Sequence, residues 1–144
     1  MSVRLVFTGL EELKAALRSL PQDLAAEAGG IVEGAAERAG QAVRTGYARH
    51  RVTGNMVNHV VVERKEAGRF GAAYVVKSTA RHSHLFEHGT QARHYVTING
   101  VSHLTGQMPP NPVFIPAVVR SRSKMYQDLR GLLLRNGLQV SGEP

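Results

Sequence analysis

The chain has 144 residues, enough for one domain that buries about two thirds of its unfolded surface without staples. It has no cysteine, so disulfide frameworks, thiolate metal sites and a cysteine nucleophile are excluded. Eighteen Lys and Arg against eleven Asp and Glu leave a formal charge of +7, which favours contact with nucleic acid or an acidic protein surface without specifying either.

The opening MSVRLVFTGLEELK has neither the sustained apolar stretch nor the small-residue cleavage site of an export signal. No later run approaches the roughly 18 to 20 apolar residues of a membrane span, so a soluble, non-exported, cytoplasmically made protein is expected. Residues 2–7 alternate as a short strand, and Thr8 with Glu11 forms a capping box for a helix whose face is Leu10, Leu13, Leu17 and Leu20. Pro21 ends that helix and is suited to open the next.

The second helix is expected from 22 to 48, about 40 Å long. Leu24, Ala28, Ile31, Val32, Ala35, Ala39, Ala42, Val43 and Tyr47 recur at three- and four-residue steps along it. Gly29, Gly30, Gly34, Gly40 and Gly46 each cost up to ~1 kcal/mol relative to Ala inside a helix. Either they let a sheet or a neighbouring subunit approach the bare backbone, or the helix bends or breaks near Gly29 and Gly30.

MVNHVVVERKE and AAYVVKS, separated by the turn-like EAGRFG, read as an antiparallel hairpin over 57 to 78. In RHYVTINGVSHL, Asn99-Gly100 between alternating segments predicts a type I′ hairpin that projects as a flap. TGQMPPNPVFIP holds Pro109, Pro110, Pro112 and Pro116 and is expected to be ordered but extended. A last helix begins near Ile115, with Ile115, Val118, Met125, Tyr126, Leu129, Leu132 and Leu133 as its apolar stripe and Arg120, Lys124, Arg130 and Arg135 elsewhere. Gly137 stops it, leaving 137–144 as a flexible tail. The fold class that results is α+β: a short antiparallel sheet on a long N-terminal helix and a C-terminal helix, within one domain over 1–136, with a projecting hairpin near 94–104.

HLFEH, residues 84 to 88, matches the H-x-x-E-H pattern of inverted zinc hydrolases, in which two His one helical turn apart hold the metal and the Glu activates water. That chemistry needs a third ligand and a rigid helix. Downstream of His88 the only acids are Asp128 and Glu143, and Gly89 limits any helix to one or two turns. His82, His94 or His103 could complete a site, but seven His in the chain make chance pairings common. There is no phosphate loop and no nucleophile elbow. A small basic nuclease or zinc-dependent hydrolase using the histidine-rich segment 82–94 is therefore the alternative reading. No catalytic residue, metal or cofactor is assigned.

Three stretches taken together, TGNM (53–56), HSHLFEHGT (82–90) and MPPNPVFIPA (108–117), resemble in order and spacing the tail-completion or head–tail joining (neck) proteins of long-tailed bacteriophages and gene-transfer particles. The resemblance covers roughly residues 10 to 135. His82, Ser83 and His88 depart from the family's aromatic, Ala and aromatic, and Val113-Phe114 from its Phe-Leu. It implies packing roles for the histidines and structural roles for Thr53, Gly54, Glu87, Gly89, Thr90, Pro109, Pro112, Phe114 and Pro116. Gly54 and Gly89 suit positive-φ turns, and Glu87 is expected to accept from amides near the turn that follows it.

The implied function is assembly: a homo-oligomeric ring, six-fold or twelve-fold, in the virion neck or proximal tail, joining the DNA-filled head to the tail and passing DNA through its lumen. The implied partners are the connector, stopper, tail terminator or tail-tube proteins and DNA, with no membrane. Tyr95, Ile98, Asn99, Gly100 and Val101 are expected at contacts between subunits. Arg44, Arg49, Arg51, Arg120, Arg122 and Lys124 are expected to face DNA or another charged partner.

Overall fold

The computed structural model describes Glu11, Ala15 and residues 22–50, 54–66 and 72–138. The expected first strand, the Thr8 capping box, the leucine face of the first helix, Arg51, Thr53, the turn at 67–71 and the tail beyond 138 lie outside the described residues. The architecture is α+β. Helix α1, Gln22–Ala48, runs through the Gly29–Gly30 pair without interruption, so of the two alternatives the break there does not occur. A short helical turn α2, Asn55–Asn58, leads into strands β1, Val60–Lys65, and β2, Ala73–Ser78, which pair antiparallel from Val60↔Ser78 to Lys65↔Ala73. Helix α3, Ser83–His88, is followed by strands β3, Arg93–Val96, and β4, Ser102–Gly106, which form a separate two-stranded sheet. Helix α4, Phe114–Arg135, closes the described chain.

The two long helices pack antiparallel. Gly46 near the end of α1 meets Val113 at the start of α4, while Glu27 near the beginning of α1 bonds to Arg135 at the end of α4. Between them Ala28, Leu129 and Leu132 form one core cluster, with Leu24, Ile31, Val32 and Met125 around it. A second cluster, Val43, Tyr47, Val60 and Ala117, joins α1, the sheet and α4, with Val113, Phe114 and Phe86 packed on it. Because α4 alone covers the first half of α1 and the sheet and proline segment join it over the second, the buried face turns by roughly 100° along the helix. Ala42, expected inside, is therefore exposed.

The glycines divide by position. A Cβ on Gly40 would lie 2.6 Å from Val62 Cγ2 in the sheet, and one on Gly46 would collide with Val113. A Cβ on Gly30 would meet nothing within 4 Å. Close approach to the sheet thus accounts for Gly40, while Gly30 has no such reason.

Three details differ from expectation. Val57 lies on a helical turn rather than a strand, because Gly54 at φ 78 turns the chain and its carbonyl accepts the Asn58 N–H at 3.1 Å. The hairpin turn is not type I′: only Gly100 has positive φ, at 77°, and Asn99 does not. Thr97 pairs with Val101 at 2.9 Å and Gly100 N–H reaches Thr97 O at 2.9 Å, giving a type I turn closed by a left-handed glycine. The Thr97 hydroxyl reinforces it, since Oγ1 accepts the Val101 N–H at 3.2 Å and so supplies what a two-residue loop would have taken from backbone. In α4, Ile115 is 55% exposed and Ala117 is buried in its place.

The helix end fits the glycine reading. Gly137 at φ 74 lets its N–H reach Leu134 O and the Leu138 N–H reach Leu133 O, at 3.1 and 3.0 Å, the paired bonds of a Schellman stop. No helix among the described residues is long and apolar enough to cross a membrane.

Gly30→Ala is expected to raise stability by up to about 1 kcal/mol, since it removes backbone freedom and displaces nothing. Gly40→Ala is expected to lower stability by about 1 kcal/mol, because overpacking against Val62 outweighs the same propensity gain. Urea unfolding midpoints of the two variants check this, and equal shifts would contradict the assigned contact.

Candidate functional site

The HLFEH motif does form a helix, but α3 has six residues and its two motif histidines, His84 and His88, are both exposed. Glu87 turns the other way. Its Oε1 accepts the Tyr47 hydroxyl and the Phe114 N–H, each at 2.9 Å, and its Oε2 accepts the Val113 N–H at 2.9 Å. One carboxylate therefore ties together the end of α1, the body of α3 and the start of α4. The amides it serves lie 26 and 27 residues onward rather than in the adjacent turn, which corrects the local bonding expected of it.

The arrangement solves a problem of helix termini. The first amides of α4 have no carbonyl partner within the helix, and Val113 at its N-cap offers no side-chain bond. Glu87 supplies both the acceptor and a negative charge where the helix dipole favours one. The Tyr47 phenol is held neutral. Burial first, then its hydrogen bond to Glu87 and the charge of that group, push its pKa well above the ordinary tyrosine value. Beside it Ser78 Oγ is buried without a hydrogen-bond partner.

The proline segment is stitched to the same place. Thr90 N–H donates to Met108 O at 2.8 Å, Met108 N–H donates to Thr90 Oγ1 at 3.0 Å, and Asn111 N–H donates to Phe86 O at 3.0 Å. Pro109, Pro110 and Pro112 have no amide hydrogen, so the amides of the 108–114 segment all find acceptors within residues 86–90. Gly89 makes this possible. At φ 74, its missing Cβ would sit 2.6 Å from Met108 O and 2.8 Å from Pro110 N. Pro116 lies in the first turn of α4, and Phe114 packs into the second core cluster.

Gly54, α3 and the proline segment surround an open groove of about 430 Å³. Its apolar walls are Met56, Val57, Leu85, Phe86 and Met108, each only half-buried. Phe86 stands edge-on to Tyr47 at 5.7 Å and to His50 at 5.2 Å. His50 and His82 both reach this groove, but among the described residues no three His, Asp or Glu gather as a metal site would require. The one carboxylate of the motif already has three donors, so the geometry here performs clamping.

The β3–β4 hairpin lies outside both core clusters, and every residue of β3 is exposed. Tyr95 and Val101 are half out, Ile98 at its tip is fully exposed at 106%, and Asn99 and Gly100 are exposed beside it. Tyr95 stacks on His103 across the strands at 5.1 Å. Val96 and Leu104 are also exposed, at 67% and 65%, and were not singled out from sequence, although their alternation on the opposite face was the available signal.

The basic residues are not brought onto one surface. Arg44 is half-buried and donates to Val60 O at 3.1 Å, and Lys124 pairs with Asp128 at 3.1 Å. Arg49, Arg120 and Arg122 are exposed, but Arg122 sits roughly 200° around α4 from Arg120.

Glu87→Ala is expected to cost about 2–4 kcal/mol, because two buried-edge amides and a phenol lose their acceptor together. Tyr47→Phe should cost about 1 kcal/mol near neutrality. The folded chain holds the Tyr47 proton more tightly than the unfolded chain, so this bonus is complete below pH of about 10 and shrinks as pH rises further. Urea titrations of wild type and Tyr47→Phe at pH of about 8 and about 11 should show the gap narrowing, and a constant gap would contradict the assignment. Gly89→Ala should destabilise by more than about 2 kcal/mol, and Gly100→Ala, with equal φ but open space, by only about 1 kcal/mol.

The sequence matches no family model, and neither curated protein sequences nor solved structures give a significant match to the chain.

Proposed function

We propose that this chain is a structural assembly protein of a phage-type neck or proximal tail, acting by oligomerisation and docking rather than by catalysis. The observation that carries the reading is the convergence of the three motif stretches. Gly54, residues 86–90 and residues 108–114 are far apart in sequence, yet they border one groove and, in the last two cases, share one hydrogen-bonded clamp. Residues spent on one another in this way suit a rigid joint. The commitment of Glu87 to Tyr47, Val113 and Phe114 weighs against the hydrolase alternative, because a water-activating base would have to release three donors first.

In this reading the chain forms a homo-oligomeric ring in the virion, contacts other neck or tail proteins, and admits DNA through its lumen past exposed cations such as Arg49 and one of Arg120 and Arg122, which lie on opposite sides of α4. The hairpin supplies a contact between subunits. Any affinity of the isolated chain for duplex DNA should then be weak and vanish near physiological salt, whereas a steep salt slope at high affinity would favour a nucleic-acid enzyme.

Removing the gene from a cell that produces the particles should leave DNA-filled heads and separate tails in negative-stain images. Joined, infectious particles in its absence would overturn the reading. Deleting residues 95–103 should leave a folded chain, since neither core cluster draws on them, while abolishing joining.

A further inference from the structure

We infer that the β3–β4 hairpin of one copy docks its tip into the groove beside α3 of a second copy, so that the contact between copies runs head to tail. The inference rests on the assembly reading for its biological setting but on independent geometry for its content.

The hairpin needs a cover. An isolated two-stranded hairpin is marginal in water, and this one exposes apolar side chains on both faces. Tyr95 lies opposite His103 on one face, while Val96 and Leu104 share the other. Ile98, fully exposed, and Val101 add apolar surface at the tip, and apolar surface gathered in this way marks an interaction site.

The groove has the matching character. Its walls are mostly apolar, with polar groups such as His82 and Arg93 beside them, and Met56 and Met108 are adaptable thioethers suited to receiving an incoming side chain. A four-carbon side chain takes roughly 100 Å³, a few times the share of one water, so about 430 Å³ admits Ile98 together with Val101.

The occupant cannot be the chain's own tip. Arg93 and Met108, at the two roots of the hairpin, are themselves groove residues, and strands of this length carry the tip roughly 15 Å away from them. Each copy therefore offers a knob and a socket on different surfaces. That is the geometry of a heterologous contact, which closes into a ring when the rotation between copies permits.

The absence of cysteine makes the test clean. A full-length chain carrying both Ile98→Cys and Leu85→Cys should give a ladder of disulfide-linked species on mild oxidation, and the two single variants mixed together should give dimers. Ile98→Asp, at a fully exposed site, should leave thermal unfolding unchanged and weaken self-association about 30-fold or more by native mass spectrometry.

Three results would overturn the proposal. Ile98→Cys alone could cross-link as well as the pair, which would mean hairpins meeting each other. Ile98→Asp could leave the oligomer intact, which would mean another surface holds the copies together. The wild-type chain could remain monomeric at high concentration. In each case the gene-removal experiment still decides the neck reading separately.

Discussion

The Glu87 carboxylate is the interaction on which the rest of the described structure depends. It accepts three hydrogen bonds, from a phenol on α1 and from the two amides that open α4, and so fixes where the last helix begins and in which direction it runs. Hydrogen bonds to a charged acceptor contribute about 1.5–3 kcal/mol each, while a cap made by neighbouring sequence contributes about 1 kcal/mol. A carboxylate reaching across the fold therefore stabilises the helix start and closes the tertiary structure at the same time. With α4 held at Val113, the methyl groups of that residue press on Gly46, and Ala117 rather than Ile115 enters the core.

Proline contributes by subtraction. An extended segment crossing the surface of a helix would ordinarily present a row of amides in need of acceptors. Here three of the positions from 109 to 112 are occupied by proline, and the remaining donors match the acceptors that α3 and Thr90 provide. The segment is thereby ordered without a strand partner. Its rigidity also carries outward: β3 and β4 leave the clamp at Arg93 and Gly106, so an exposed hairpin is mounted on a fixed base.

The same economy shapes the surface. The ion pairs Glu27–Arg135 and Arg38–Asp128 flank the two long helices at exposed positions, where each is worth at most about 1 kcal/mol, and the helix contact rests instead on Ala28, Leu129 and Leu132. What stays uncovered is apolar: a hairpin bare on both faces and a groove whose methionines are half-exposed. In the proposed assembly these are the surfaces that a neighbouring copy would cover.

By itself the sequence determined the periodic elements. The bounds of α1, the stop at Gly137, the hairpin around Asn99-Gly100 and the brevity of the helix carrying HLFEH all follow from short-range rules of spacing, turn chemistry and helix termination. Local rules could not give the partner of Glu87, because its donors lie 26, 27 and 40 residues away and nothing in the spacing encodes those distances. Nor could they say which glycines were needed. Gly30 and Gly40 look alike in sequence and differ only in whether Val62 stands over them. The type I turn at the hairpin tip was likewise settled by the Thr97–Val101 pairing across the strands, not by the Asn-Gly dipeptide. That the Glu87 of HLFEH clamps α1 to α4 is likewise a product of tertiary structure, since a side chain's chemistry depends on which donors the fold brings within reach of it.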